Sequence, residues 1–466
     1  MKKFINRNKE RAFLESEYNK SEASFVVVYG RRRIGKTALL NEFRKDKHAL
    51  YFLATEESEN ENRNQFASLV AEYTDSAIIK ESKFSSWEPL FQHIASFNKD
   101  ERKLIIIDEF QYLGKANPAF LSVLQRVWDT VLKDSNIMLV LCGSLINMMY
   151  EQAMSYGSPL YGRRTGQIKM KQIPFRYFGE FFEGLGEKEL IEAYAVTGGV
   201  PKYIESVKPY GDIFEAIENS VLSRESYLYS EPEFLLEKEV QEIGSYFSII
   251  KTIAQGNHKP GDISAALGIK QTNLPKYIKT LIDLDILERE VPATESKPEK
   301  SKMGLYKIKD NYLEFWFKFV YPYRSFIETD NTEFVMKKIK EGFVTNQVGF
   351  VYEEICRSEY MHELVVNDAW DFVPNNIGRW WDRKDTEIDI VAVDEDGKNI
   401  IFGECKYTSK PIDVDVYYAL LEKVPKVDWH KADRKEHFIF FSINGYTDKM
   451  KALAKEKNIL LYGVNG

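Results

Sequence analysis

Residues 30–37 read G-R-R-R-I-G-K-T, and this octet constrains the start of the chain more than any other feature. It fits G-x-x-x-x-G-K-[ST], a glycine-rich turn between a strand and a helix whose backbone N–H groups point at phosphate oxygens. Both flanks agree: S-F-V-V-V-Y precedes it as an apolar strand, and A-L-L-N-E-F-R follows as a helix. Gly30 and Gly35 let the backbone turn inward. Lys36 would neutralise the β- and γ-phosphates, Thr37 would offer a hydroxyl to Mg²⁺, and the helix N-terminus adds partial positive charge. The expected cofactors are ATP and Mg²⁺.

The partner half of such a site is K-L-I-I-I-D-E-F at 103–110. Ligands of open α/β sheets bind at the carboxyl ends of the strands, which is where Asp108 and Glu109 fall. Asp108 would hold Mg²⁺ through water, and Glu109 would act as general base toward the hydrolytic water. The next strand ends at Ser144, between the two motifs, where its hydroxyl would sense the γ-phosphate. Y-G-R-R-T-G at 161–166 puts Arg163 and Arg164 on a loop after the fourth strand. These are candidates for an arginine finger acting across a homo-oligomer, with a solvated basic loop as the alternative.

The first 200 residues alternate short apolar runs (25–29, 49–54, 104–107 and 137–142) with helical segments such as 37–44 and 118–133. Runs apolar on both faces are buried parallel strands, so the expected class is α/β, with a parallel sheet covered on both sides. Helical patterns at 180–195 and 203–223, broken by G-G-V-P, read as a small lid over 174–240. Residues 241–310 resemble a winged helix-turn-helix. Helices are expected at 246–254, 263–267 and 272–284, strands at 286–290 and 305–308, and a charged wing between the strands. Lys270, Gln271, Asn273, Lys276 and Lys279 on its third helix, and Lys297, Lys300 and Lys302 on the wing, would reach DNA. A docking module is the alternative. An aromatic connector at 311–340 leads to a last α/β unit at 341–466.

Composition narrows the partners. At 466 residues the chain has room for about three domains. Its net charge of −7 excludes a uniformly basic coat, so nucleic acid, DNA in particular, would be met by local basic patches. Three widely spaced cysteines exclude a disulfide framework. No apolar run is long enough to span a bilayer, and the basic start lacks an apolar h-region. The expectation is a cytoplasmic protein without membrane contact.

F-I-N-R-N-K-E at the start, the phosphate loop, I-I-I-D-E-F-Q-Y-L, L-C-G-S, P-L-Y-G-R-R and T-G-G-V-P-K-Y occur in that order. The series resembles the archaeal-type ATPases of the AAA+/STAND assemblage over residues 1–230. The resemblance implies a P-loop ATPase core at 1–173, with Arg7 near the adenine and Pro201 of the lid against the base.

The C-terminal stretch T-E-I-D-I-V-A-V-D-E-D-G-K-N-I-I-F-G-E-C-K carries the second constellation. Asp396-Gly397 signals a two-residue hairpin turn with both residues at positive φ. That turn sets Asp389 opposite Glu404 and Glu387 opposite Lys406. Opposed Cβ atoms lie ~4.5–5.5 Å apart, so one acid must take up a proton or a cation must sit between them. Lys406, on the same face, would orient or activate a water and stabilise developing negative charge. This array resembles the PD-(D/E)xK core of restriction-endonuclease-like nucleases, although Ile388 stands where that motif has proline. The resemblance implies metal at Asp389 and Glu404, catalysis with Lys406, and a further acid on the preceding helix, Glu353 in preference to Glu354. The expected function is an ATPase coupled to a metal-dependent nuclease acting on DNA. The alternative is a nucleotide-gated switch or DNA-binding scaffold whose C-terminal domain does not cleave.

Overall fold

A computed structural model describes residues 4–208 and 211–463. The chain forms two compact units. The first comprises Met1–Ile173 with Val200–Lys202 and Glu237–Gln241. The second comprises Pro174–Gly199, Tyr203–Leu236 and Glu242–Gly466. Most of residues 174–240 thus shares the second unit with the segments that follow.

The first unit is a five-stranded sheet of β1 (Ser24–Tyr29), β2 (Ala49–Leu53), β3 (Lys103–Asp108), β4 (Ile137–Gly143) and β5 (Gly166–Lys169), in the order β2-β3-β4-β1-β5. Every neighbouring pair is parallel. β3 and β4 are buried along their whole length, as strands apolar on both faces must be. β4 lies between β1 and β3, so the loop after β1 and the acids after β3 open at one sheet edge. Phe25, Phe52, Phe66, Trp87, Phe91 and Phe120 build the core on one face.

The second unit contains helices Ile243–Ala254, Pro260–Leu267 and Leu274–Asp283, followed by the antiparallel pair β6 (Leu287–Glu290) and β7 (Leu305–Ile308). The aromatic connector is core: Phe315, Trp316, Phe317 and Phe319 are buried. A second five-stranded sheet joins β8 (Pro374–Trp381), β9 (Glu387–Asp394), β10 (Asn399–Lys406), β11 (Lys435–Ser442) and β12 (Leu460–Gly463), in the order β12-β11-β10-β9-β8. β8, β9 and β10 run antiparallel, and β10, β11 and β12 parallel. Tyr417 and Leu420 of helix Val414–Lys423 pack with Val391 and Phe402 in its core.

Three expectations are corrected. The helix expected over 180–195 starts only at Glu187, because Gly184 turns the chain at φ 82°. The helix expected over 203–223 is split into Pro201–Val207, Ile213–Ala216 and Ile217–Val221, with 209–210 outside the described residues. The hairpin turn spans four residues rather than two, and of the Asp396-Gly397 pair only Gly397 has positive φ. Asp394 organises the turn by accepting from the N–H groups of Lys398 (2.9 Å) and Asn399 (3.1 Å). The register survives, because the longer loop has the same midpoint: Val393 pairs with Ile400 and Ile390 with Gly403. Among the described residues no helix is long and apolar enough to cross a membrane.

Candidate functional site

The phosphate loop is built as its spacing demands. Gly30 sits at φ 151°, and a Cβ there would lie 2.7 Å from the Met170 carbonyl oxygen. Gly35 takes φ 96° as the N-cap of helix Lys36–Phe43, with Pro201 packed against its open side. Lys36 is only 5% exposed, and its ammonium donates to the carbonyls of Gly30 and Arg31, each at 2.8 Å. Burial pulls it below its ordinary pKa. The ammonium thus spans the loop where phosphates would lie.

The Thr37 hydroxyl donates to Asp108 Oδ2 at 3.0 Å, and Tyr51 donates to the same oxygen at 2.6 Å. A hydroxyl beside a carboxylate at the loop's mouth is a hard oxygen pair of the kind Mg²⁺ takes. Glu109 adopts φ 52°, a left-handed conformation that costs energy for a residue with a side chain. Its Oε2 accepts from Ser144 at 2.8 Å and from Gln111, so Oε1 remains to take a water proton. Ser144 therefore acts on Glu109.

Two of the expected basic residues are engaged by neighbouring groups. Arg7 is buried and donates to the carbonyls of Ile34 (3.2 Å) and Lys171 (2.6 Å), which makes it a buttress behind the loop. Arg163 is paired within the chain. Asp129 matches its guanidinium fork at 2.9 and 2.7 Å, and the Pro159 and Tyr161 carbonyls accept from it too. Arg164 has one long bond, to Met154 O at 3.5 Å.

Glu239 is a participant that sequence reading missed. Its Oε1 accepts from the Ile146 N–H at 3.2 Å, two residues beyond Ser144, and its Oε2 is buried without a hydrogen-bond partner among the described residues. Burial pushes its carboxyl up to about 7, offset in part by the Ile146 and Asn147 N–H groups and by Lys36 and Arg31. A carboxyl raised by folding keeps its proton where the unfolded chain has lost it. Stability therefore falls as pH climbs from the ordinary carboxylate range to about 7. Glu239→Gln, neutral throughout, should raise the melting temperature by about 2–4 °C above pH 7.5. The difference from wild type should be least near pH 4.5. Melting curves at both pH values check this, and a gain that ignores pH would contradict it.

The acid–lysine cluster of the second sheet forms where β9 and β10 part. The ladder's last pair is Ile390–Gly403, and beyond it Asp389 Oδ2 accepts from the Cys405 N–H at 2.9 Å. Asp389 is 9% exposed and Glu404 3%. Lys406 bridges both, at 3.4 Å to Asp389 and 2.6 Å to Glu404, and Lys423 holds the other Glu404 oxygen at 2.6 Å. Burial and the Asp389 charge push Glu404 up. For Asp389 the burial effect is outweighed by Lys406 and the Cys405 N–H, and its pKa falls. Burial works against the Lys406 ammonium, but the two acids hold it above its ordinary value. Lys406 is therefore a fixed cation rather than a base at neutral pH.

The expected Glu387–Lys406 pairing is corrected. Glu387 stands beside Trp381 of β8 and pairs with Arg379. Oxygens of Glu353, Glu387 and Asp389 lie within 4.8 Å of one another, a hard-donor set that suits Mg²⁺. Burial, then Asp389, raises Glu353 to about 8. Its neighbour Glu354 is held by Lys307 and Arg357, each at 3.0 Å, and groups with Glu288 and Glu290; Arg357 also reaches Glu353, at 3.6 Å, but it is Glu353 whose oxygens lie near Asp389.

Comparison with known proteins adds identity to this geometry. Residues 4–207 match an ATPase domain predominantly from Archaea, and residues 316–416 match a family of archaeal and bacterial proteins of unknown function. The chain is 38% identical over 91% of its length to the uncharacterized protein MJECL04 of Methanocaldococcus jannaschii, covering 92% of that protein. It is 46% identical over 44 residues, 9% of this chain and 75% of the relative, to the uncharacterized ATP-binding protein MJ0423 of the same organism. The solved Walker-type ATPase PABY2304 of Pyrococcus abyssi shares the fold, with TM-score 0.53 and 18% identity over 68% of this chain and 96% of that one. The phosphate loop, its paired acids and the near full-length likeness to MJECL04 together place this chain in that protein's family, with an archaeal-type P-loop ATPase domain ahead of a C-terminal region shared by archaeal and bacterial proteins.

Proposed function

We propose that the chain binds and hydrolyses ATP in its first unit and that its C-terminal sheet is a PD-(D/E)xK-like, metal-dependent nuclease domain acting on DNA. For the first half, Lys36 and the loop N–H groups would cradle the phosphates, Thr37 and Asp108 would hold Mg²⁺, and Glu109 would take the proton of the attacking water. Glu109→Gln should keep nucleotide binding within about threefold and lower turnover at least about 100-fold. Equal turnover in the two proteins, measured by phosphate release, would refute the base assignment.

The observation that carries the second half is the Lys406 ammonium seated between Asp389 and Glu404 at the parting of β9 and β10. Asp389, Glu353 and Glu387, whose oxygens lie within 4.8 Å of one another, would hold Mg²⁺ with Glu404 as the motif's further acid, and the ion when bound supplies charge stabilisation at the phosphodiester. Lys406 would neutralise the negative charge that develops on the phosphate. The three helices and hairpin over 243–308 support DNA as the substrate, read as a winged helix-turn-helix. Lys270, Gln271, Asn273, Lys276, Lys297 and Lys300 are exposed there. A groove of about 890 Å³ beside them is lined by Lys259, Arg289, Lys302, Trp381 and Arg383, together with Glu299 and Asp382. The test is DNA nicking or cutting with Mg²⁺ or Mn²⁺, with and without ATP. A second reading has its own observation: both Glu404 oxygens are occupied by lysines, as suits a domain that binds DNA without cutting it. Absence of cleavage on every DNA form would select it.

A further inference from the structure

Helix Tyr227–Glu239 ends inside the first unit, although most of its length belongs to the second. Its last residue puts a carboxylate beside the turn that follows β4. Oε1 accepts from the Ile146 N–H, while Oε2 is buried with no geometric hydrogen-bond partner among the described residues, the Asn147 N–H acting on the carboxyl only weakly. The positive charges that act on it are those of Lys36 and Arg31, both from the phosphate loop. Glu239 in turn is one of the acids acting on Lys36, together with Glu109 and Asp108. Ser144, which fixes Glu109, lies two residues before Ile146, so this turn carries both the Glu109 tether and the Glu239 tether.

A buried acid with an unbonded oxygen lowers stability, and glutamine would fill the same space without the charge. The position of that charge gives the cost a purpose. Lys36 must neutralise the terminal phosphate of a triphosphate, and above about pH 7, where Glu239 is ionised, its carboxylate draws on the same field and competes with that phosphate. A diphosphate lacks the group in competition. We propose that Glu239 is a latch on the γ-phosphate side of the nucleotide site, displaced by a triphosphate but left in place by a diphosphate. The end of helix Tyr227–Glu239 then reports which nucleotide is bound. The chain enters the next helix at Ile243, four residues on, so release of the latch frees the start of the segment read above as a winged helix. The proposal rests on the nucleotide-binding reading of the loop.

Two measurements on the full chain test it. The first is calorimetric binding of ADP and of the β,γ-imido analogue of ATP, each with Mg²⁺, to wild type, Glu239→Gln and Glu239→Ala. Both variants should bind the triphosphate analogue about tenfold more tightly, with ADP affinity changed less than about twofold. Equal shifts for both nucleotides, or none, would overturn the latch. The second needs no variant. Amide hydrogen exchange of wild type should rise at residues 235–241 with the triphosphate analogue and stay unchanged with ADP. Identical exchange with both nucleotides bound would also overturn it. If wild type binds neither nucleotide, the phosphate-loop reading fails first and the latch falls with it.

Discussion

Replacing Lys36 with alanine removes nucleotide binding from an otherwise folded chain. The ammonium is almost wholly buried, and two carbonyls of the loop, Gly30 and Arg31, already accept from it. Such a cation is held for a partner of opposite charge, because burial alone disfavours it. Truncating one side of a buried charge-assisted contact costs about 2–5 kcal/mol, most of it from the charge left behind. In the variant the stranded charge is that of the phosphates, with Asp108 and Glu109 close by. The dissociation constant for ATP or ADP should therefore rise about 100-fold or more. Calorimetry measures the loss, and an unchanged far-ultraviolet circular dichroism spectrum shows that the fold survives. An affinity within about threefold of wild type would mean that phosphates do not sit in this loop.

The geometry of the phosphate loop and of the acids beside it is largely legible because its grammar is local. Gly30, Gly35, Lys36 and Thr37 are fixed by spacing along one turn, and Asp108 and Glu109 by their place at the end of a strand apolar on both faces. What escaped depends on contacts distant in sequence. Tyr51 reaches Asp108 across 57 residues, Arg163 meets Asp129 across 34, and Ile146 donates to Glu239 across 93. No period or motif encodes those distances. Arg163 is the clearest case: beside Arg164 in a polar loop it reads as a free cation, and only the fold brings it the acid that matches its fork.

The C-terminal hairpin shows the same division. Its register was legible because the strand pattern fixes the midpoint, whichever turn closes it. The turn type was not, because the Asp394 side chain takes two backbone N–H groups that a two-residue turn would not offer. The partner of Glu387 was also hidden. P-N-N-I-G-R-W-W is a poor strand signal by composition, yet it forms β8. It supplies Arg379, whose carbonyl also accepts from the Ala293 N–H. An edge strand held by Ala293, 83 residues upstream of Asn376, leaves little trace in its own sequence.

Removing the Lys406 ammonium is the most severe change available to the second site, and its effects separate the two readings of that domain. In a nuclease, Lys406→Ala abolishes cleavage, at least about 100-fold, because among the described residues no other cation bridges Asp389 and Glu404. Lys423 stays on Glu404 Oε1, so the acid keeps one partner and the sheet its packing. Lys423→Ala serves as the matched control. It also removes a Glu404 partner, but it leaves the bridge to Asp389, so cleavage should fall much less. The measurement is conversion of supercoiled, linear and single-stranded DNA in Mg²⁺ or Mn²⁺, with and without ATP. In a domain that only binds, neither substitution alters any DNA product, and both act alike on melting temperature. The deciding quantity is the asymmetry between two lysines that share one glutamate: a structural cluster would treat them as equivalents, whereas a reacting phosphate would need the lysine that also reaches Asp389.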